Sequence, residues 1–169
     1  MTQVPSREPI KVLADILKAE MLLEDGQLML GLENWTIPAN TGLYIALFYG
    51  ADSVVGAMSE FDDALNTEIQ SVAMLHTIHI DAMSFDESAR LRKEEIIMAL
   101  NSIFSNRHVS ANLMQINSLP QSFTPLEELE ETKQLNKFRI TFSMNALHQK
   151  VKAVDYYDTF PDPTVLTNN

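Results

Sequence analysis

The chain has 169 residues, of which 46% are hydrophobic and 21% charged, and this composition predicts one globular domain with a real core. Twelve Lys and Arg against 23 Asp and Glu give a formal net charge of -11, which argues against adhesion to the phosphates of a nucleic acid. The chain has no cysteine, which excludes disulfides and thiolate or Cys-based metal chemistry, and no apolar run approaches the roughly 18 residues of a membrane span. We therefore expect a soluble intracellular product.

A helix is predicted near the start of the chain. Ser6 stands where its hydroxyl can cap the first turn, and Pro9 fits that turn because its missing N–H would have no partner there. Asp25-Gly26 is a turn signal that ends the helix. The apolar residues between them recur at helical spacing and are Ile10, Leu13, Ala14, Leu17 and Met21.

Two strands are predicted next. Residues 31–42 are rich in turn residues and predict a loop, and the apolar run Leu43–Tyr49 predicts a buried strand. In residues 50–66, Val54 and Val55 favour a strand, whereas the polar residues Ser59, Asp62, Asp63 and Asn66 favour an exposed excursion, and we predict the excursion. From Ile69 to Asp81 the pattern alternates, which predicts a long strand antiparallel to the previous one. Its apolar face comprises Val72, Met74, His76, Ile78 and Ile80.

A second helix and a short strand follow. Ser84-Phe85-Asp86-Glu87 has the spacing of a capping box, so a helix is predicted to begin there and to stop near Asn106. Residues 113–119 alternate before Pro120 and predict a strand near a sheet edge. The apolar stripe of the helix, expected to pack on the sheet, comprises Ala89, Ile96, Ile97, Leu100, Ile103 and Phe104. The methionines Met74, Met98 and Met144 are expected to fill the core or to lie beside it.

The last part of the chain predicts one more strand. Residues 124–136 carry an acidic cluster and predict a solvated loop or a short helix. Leu135–Val151 is the clearest strand pattern in the chain. Its apolar face, expected to meet the helix, comprises Phe138, Ile140, Phe142, Met144 and Ala146. The predicted fold class is thus α+β, a small, mainly antiparallel sheet packed against one or two helices. Residues 1–157 form a single domain in this prediction, and residues 158–169 form a C-terminal arm or flexible tail.

No catalytic, cofactor or metal site is predicted, and we expect no enzyme. The glycines form neither a phosphate-binding loop nor a dinucleotide turn, and no Ser lies in a nucleophile elbow. His79 and Asp81 share a strand face and could bind a metal, but no third ligand is near them in sequence, so a polar pair on a sheet face is favoured. His76 is expected to be a hydrogen-bonded core residue. The cluster Glu127–Glu131 lacks the ligand pattern of an EF-hand and is expected to be a solvated charge run.

The order of elements resembles that of the tail-terminator proteins of long-tailed bacteriophages and of related phage neck proteins. The resemblance covers most of the chain, from about Pro9 to Tyr157. It lies in an N-terminal helix, a strand after a Pro/Gly loop (IPANTGLYIALFYG), a long strand, the helix ESARLRKEEIIMALNSIF, a short strand through LMQINSLP, and a final strand. No catalytic signature takes part in it.

The resemblance implies a structural virion protein of the tail or neck, made in the host cytoplasm. Such subunits form a hexameric ring that caps the tail tube and joins it to the head connector. The implied partners are therefore other copies of the chain, the tail tube protein and the head–tail connector protein, with a sheath contact added in a contractile tail. DNA would pass through the lumen without specific binding, and no membrane is involved. Residues 50–66 and 124–136 are the expected ring or tube contacts.

Two alternatives remain open at this point. Head-closure and tail-completion proteins of the same neck share the size and pattern of a tail terminator. A non-viral oligomeric α+β module could instead use its apolar sheet face to bind a small ligand, although only 8% of the residues are aromatic. An enzyme is the third class.

Overall fold

The computed structural model describes residues 8–31, 42–62, 64–126, 128–130 and 133–154. Three helices and seven strands lie within these ranges. The helices are α1 (Pro9–Glu20), α2 (Ser88–Leu100) and α3 (Ile103–Ala111). The strands are β1 (Leu28–Leu30), β2 (Tyr44–Asp62), β3 (Thr67–Ser84), β4 (Met114–Ile116), β5 (Thr124–Pro125), β6 (Glu128–Glu130) and β7 (Lys133–Ala153).

The long strand β3 is the centre of the sheet. β2 and β3 form an antiparallel hairpin that pairs Tyr44 with Met83 at one end and Asp62 with Thr67 at the other. β7 runs antiparallel along the other side of β3 over its full length, with Ala153 opposite Thr67. β1 adds to β2 in parallel, and β4, β5 and β6 each pair antiparallel with β7. The prediction that the strands around residues 43–49 and 69–81 are antiparallel is confirmed.

The helices pack on one face of the sheet, which we call the helix face; the opposite face is the outer face. Leu47, Ile80 and Ile140 lie opposite one another on three adjacent strands and are almost completely buried. Burying each such side chain contributes about 1.5–3 kcal/mol to folding. Most of the predicted apolar face of β7 is buried under the helices, and Phe138 at its start is partly buried. On the helix side α1 contributes Val12, Leu13, Ile16 and Leu17.

The first helix begins at Pro9, as the sequence suggested, but its N-cap is Glu8. The Glu8 carbonyl accepts hydrogen bonds from the N–H groups of Lys11 and Val12, and the Glu8 side chain makes no capping bond. Ser6, the predicted cap, lies outside the described residues. Pro9 occupies the first turn of α1. A backbone N–H has no acceptor within the helix at this position, so the missing N–H of proline costs no hydrogen bond.

The prediction of one helix over residues 84–106 is wrong in two respects: the helix begins later, and the region contains two helices. α2 begins at Ser88 and has no side-chain cap, so Ser84 and Glu87 do not form a capping box. The Ser84 hydroxyl instead accepts a hydrogen bond from the Ala89 N–H at 2.9 Å and donates one to the Asp86 carbonyl at 2.7 Å. Asp86 Oδ1 accepts a 2.8 Å bond from the Ser88 N–H, and the hydrogen bonds from Ser88 hold the pKa of Asp86 below its usual value.

The helical region also divides in two at Asn101 and Ser102, where the sequence suggested one stripe. Ala89, Ile96 and Leu100 of the predicted stripe are buried against the sheet. After the break, α3 takes a new direction, and Ile103 and Phe104 are exposed. Met98 is also exposed, contrary to its expected place in or beside the core, whereas Met144 is fully buried.

Residues 50–66 do not form the predicted excursion from the sheet. β2 continues through them to Asp62, and the described residues 64–66 lie in the turn into β3. The turn is closed by Asp62 Oδ1, which accepts hydrogen bonds from the N–H groups of Ala64 and Leu65. The expected strand over residues 113–119 is confirmed in a shorter form, as β4.

The predicted loop or short helix over residues 124–136 is extended where the structure describes it. β5 and β6 pair with the start of β7 in this stretch. Glu127 and Glu131, two members of the predicted acidic cluster, lie outside the described residues, as do the tail residues 158–169. Sequence reasoning did not identify β1, which has only three residues.

The predicted α+β class is confirmed: three helices cover one face of a mixed sheet within the described residues. The number of helices exceeds the one or two that were expected.

Candidate interaction surface

The central strands run well past the part of the sheet that the helices cover. We call this part the sheet extension and define it as residues 51–62 of β2, 67–75 of β3 and 147–153 of β7. In it β3 lies between β2 and β7. The pairing of β3 with β7 is continuous, whereas β2 shifts register against β3 between Val54 and Gly56 and is regular from Gly56 to Asp62. At a rise of about 3.3 Å per residue, the β2 segment is about 40 Å long.

Large apolar side chains are exposed along the β2 segment. Val54 and Val55 are each 65% exposed, Met58 is 62% exposed, and Phe61 is 43% exposed. Their register places Val54 and Phe61 on the helix face and Met58 on the outer face. Leu65 at the tip is 70% exposed. A strand with exposed apolar residues on both faces is a surface that a protein partner can cover.

Both outer edges of the sheet extension are open. β1 pairs with β2 only as far as Leu47, and no described strand continues beyond it on that side. β4 pairs with β7 only as far as Ala146, and the Leu113 carbonyl accepts one further bond from the Leu147 N–H. Past these points the two edges carry backbone N–H and C=O groups that another strand can bind.

The extension begins at a root where β2 changes register. Irregularities lie between Tyr49 and Asp52 and between Val54 and Gly56. Such bulges bend a strand and increase its twist, so they can aim the extension away from the body. The Tyr49 hydroxyl accepts a 3.3 Å hydrogen bond from the Ile10 N–H, which ties the root to α1. Burial raises the pKa of Tyr49 above its ordinary value.

His76 lies on the helix face of the root, where it joins β3 to β2. It is 6% exposed, and its Nδ1 lies 3.0 Å from Asp52 Oδ1, which confirms the prediction of a hydrogen-bonded core histidine. The ring of His148 meets it edge-on at 5.8 Å, and the ring of Tyr49 lies at 5.5 Å. Burial, and to a lesser degree the nearby His76, lowers the pKa of His148. The group therefore favours neutral imidazole at His148.

The outer face of the body holds a buried ion pair. Asp81 is 0% exposed and accepts hydrogen bonds from Arg139 Nε at 2.7 Å and Arg139 Nη2 at 2.8 Å. Lys137 Nζ lies 3.6 Å from the same carboxylate, and the Arg139 guanidinium lies 4.7 Å from the centre of the Phe48 ring. This arrangement binds β3 to β7 through side chains as well as through the backbone.

His79 and Asp81, the two residues weighed as metal ligands, are engaged with different partners. His79 Nδ1 lies 2.8 Å from Thr141 Oγ1, whereas Asp81 binds Arg139. Burial, followed by the positive charge of Arg139, lowers the pKa of His79. Across the described residues, no group of three or more His, Asp or Glu side chains is arranged to hold a metal ion.

Two open cavities lie near the root. One of about 290 Å³ is lined by Val55, Ala73, Leu113 and Leu147 together with residues of β4 and β7. The other, of about 460 Å³, lies between α3 and β4. Neither lining includes a charged side chain, so neither offers a carboxylate, ammonium or guanidinium group.

The signal for this surface in the amino-acid sequence is weak. The polarity of residues 50–66 and their position between strands predict a contact region, but the exposed residues that characterise the surface are apolar. The bulge between Val54 and Gly56 interrupts the two-residue period, which hides the strand pattern. The usable signal was the length of β3, because a long strand needs a partner of similar length on at least one side.

Within the described residues, no helix combines the length and apolar character needed to cross a bilayer. In comparisons with known proteins, no family model matches the chain and no curated protein matches it.

Proposed function

We propose that this protein is a structural subunit of the neck of a long-tailed phage, a tail terminator that closes into a hexameric ring on the end of the tail tube. Its partners are other copies of itself, the tail tube protein and the head–tail connector protein. It acts in the virion as a non-enzymatic part, and DNA passes through the ring without a specific contact.

One observation carries the proposal: the sheet extension, with its exposed apolar residues and two open edges. Monomeric proteins usually shorten or cover such edges, because they invite uncontrolled pairing. A ring that uses the edges and the apolar residues in defined contacts removes that hazard. A catalytic protein has no comparable need for a bare three-stranded sheet about 40 Å long.

Two further features support this function over other oligomers. The order of helix, strand, long strand, helical region, short strand and long final strand is the order on which the resemblance to tail terminators rests. The net charge of -11 suits a subunit whose inner surface must not hold DNA as the DNA slides past.

The first test is the solution mass by light scattering over a range of concentrations, with negative-stain images of the same samples. We expect sixfold rings. The second test adds the protein to polymerising tail tube protein, and here we expect shorter tubes whose ends carry the ring.

A matched pair of variants links the result to the surface. Val54→Ser with Met58→Ser removes exposed apolar area from the sheet extension, and we expect it to weaken ring formation without changing the unfolding curve. Leu91→Ser with Met98→Ser removes exposed apolar area from α2 and should leave rings intact. A dimer at every concentration would contradict the proposal and favour the ligand-binding module. Rings that leave tube growth unchanged would contradict the tail-terminator role.

A further inference from the structure

We propose that copies of this chain join head to tail through the edges of the sheet extension, with the β7 edge of one copy beside the β2 edge of the next. The contact would continue one sheet from subunit to subunit. This inference deepens the proposed function by naming the ring interface, and it depends on self-association but on no contact with a tail.

Both edges are accessible, and the β2 edge is the longer and more exposed of the two. On β2 all residues from 51 to 61 are exposed, and on β7 Lys150, Lys152 and Ala153 are exposed. From Gly56 to Asp62 the register of β2 against β3 is regular, so its outer backbone groups point to the side as in any edge strand. Neither edge contains a proline, which would remove a donor.

The charges of the two edge strands are opposite. The β2 segment carries Asp52, Glu60 and Asp62 and no basic residue, whereas the β7 segment carries Lys150 and Lys152 and no acidic residue. Lysines on an edge strand commonly prevent pairing between identical edges. They do not oppose pairing with an acidic strand, and this chain presents an acidic strand on the other side of the same sheet.

This distribution selects a head-to-tail contact over a two-fold one. A two-fold axis would place β2 against β2 or β7 against β7, and each arrangement would bring like charges together. Placing β7 beside the β2 edge of the next copy sets a basic strand next to an acidic one. Lys150 and Lys152 share the helix face with Asp52, whereas Glu60 and Asp62 lie on the outer face of the same strand. A head-to-tail contact leaves one free edge at each end, so it ends only when the ring closes.

The topology also fixes the direction of the new pairing. β2 and β7 are each antiparallel to β3, so they run in the same direction. In a cyclic ring every copy keeps that direction, and the contact between β7 and the neighbouring β2 is therefore parallel. The helix face of each copy then continues the helix face of the next.

Cysteine pairs test the contact directly, because the natural chain has no cysteine. Lys150→Cys would be combined in turn with Val54→Cys, Ala57→Cys, Ser59→Cys or Phe61→Cys, all on the helix face of β2. These four positions sample successive registers. Within one chain the two strands are separated by β3, about 9.6 Å apart, which is too far for a disulfide.

After mild oxidation we expect at least one double variant to give a ladder of disulfide-linked species, up to the mass of the closed ring. Each single variant should stay free of disulfides. Cross-linked dimers from a single β2 variant would show a two-fold contact and overturn the inference. So would rings in which none of the four double variants forms a cross-link, and that result would leave the proposed function standing.

The remaining outcomes separate the two proposals. A ladder of cross-links with no effect on tail tube growth would support the edge contact and overturn the tail-terminator role. A protein that stays monomeric at every concentration and forms no cross-link in any double variant would overturn the edge contact.

Discussion

Gly50 and Gly56 lie in the same strand but have different surroundings. A Cβ at Gly50 would lie 2.6 Å from His79 Nε2 and 3.1 Å from Thr77 Cγ2, whereas a Cβ at Gly56 would meet no atom within 4 Å. The His79 ring is held from its other side, where Nδ1 lies 2.8 Å from Thr141 Oγ1. A glycine at position 50 therefore lets β2 pass close to His79 at the root of the sheet extension.

We expect Gly50→Ala to lower the free energy of unfolding by about 1–3 kcal/mol, because the added methyl group must displace the His79 ring. Gly56→Ala is the matched control and should change it by less than about 1 kcal/mol, in the stabilising direction. Urea denaturation of both variants checks this. Equal destabilisation by the two substitutions would show that the approach of His79 is not the cause.

Asp81 is a buried carboxylate that depends on Arg139. We expect Arg139→Gln to lower the free energy of unfolding by roughly 2–3 kcal/mol, less than for an isolated buried charge, since Lys137 also lies near Asp81. Adding Asp81→Asn should recover much of the loss, because the fully buried carboxylate charge is then removed. Lys11→Gln removes the exposed pair with Glu8 and should cost less than about 1 kcal/mol. A double variant no more stable than Arg139→Gln would contradict this account.

Two histidines make stability depend on pH. The pKa values of His148 and His79 are lowered from 6.5, in both cases chiefly by burial. As the pH falls below about 6.5, the unfolded chain binds protons before the folded chain does, so unfolding becomes more favourable. The stability is complete above about pH 6.5 and is lost as the pH falls through the folded pKa values.

The measurement is the free energy of unfolding between about pH 7.5 and 5.5. His148→Gln should flatten its dependence on pH, whereas Lys150→Gln should not, because lysine does not titrate in this range. An unchanged slope in the His148→Gln protein would contradict the assignment.

Among the elements, the boundary between α2 and α3 depends on one side chain. Ser102 is the N-cap of α3, and its hydroxyl accepts a 2.9 Å hydrogen bond from the Ser105 N–H. We expect Ser102→Ala to lower the free energy of unfolding by about 1 kcal/mol. Ser110→Ala, an exposed change inside α3, should have an effect within about 0.5 kcal/mol. A comparable loss from both variants would show that capping is not the reason.

The same boundary shows what sequence periodicity predicts and what it does not. Ala89, Ile96 and Leu100 are spaced for one helix face and are buried as predicted. The helical spacing of apolar residues continues through Ile103 without interruption, although α2 ends at Leu100 and α3 begins at Ile103. Asn101 and Ser102 are residues that favour caps and turns, but their effect depends on how the chain must turn to reach β4.

Strand prediction was limited in a different way. β3 and β7 alternate regularly, and their buried faces agree with the sequence pattern. The predicted strand ends at Tyr49, whereas β2 continues to Asp62. The bulges at the root and the exposure of both faces beyond it remove the alternation of apolar and polar residues that burial would impose. The outer half of β2 is held by pairing with β3 in the same hairpin, from Asp62 opposite Thr67 to Gly56 opposite Ala73, and the burial pattern of β2 alone does not show this pairing.

At the scale of the whole molecule, the positions of the charges matter more for self-association than the net charge does. The chain carries -11 overall, yet the exposed end of β7 is basic while β2 on the other side of the sheet extension is acidic. If copies join through these edges, Lys150 and Lys152 stabilise the assembly, whereas other exposed lysines do not. Because the edge charges are exposed, salt should weaken their contribution.

We therefore expect Lys150→Glu with Lys152→Glu to raise the concentration needed for ring assembly at least about tenfold at low salt, a change equivalent to about 1.4 kcal/mol. Lys11→Glu with Lys18→Glu changes the net charge equally, but both sites lie on α1, so assembly should stay close to that of the natural chain. Light scattering at low and high salt measures both variants. Equal weakening by the two variants would mean that assembly responds only to total charge. If the natural chain assembles more readily at high salt, apolar contacts outweigh the edge charges.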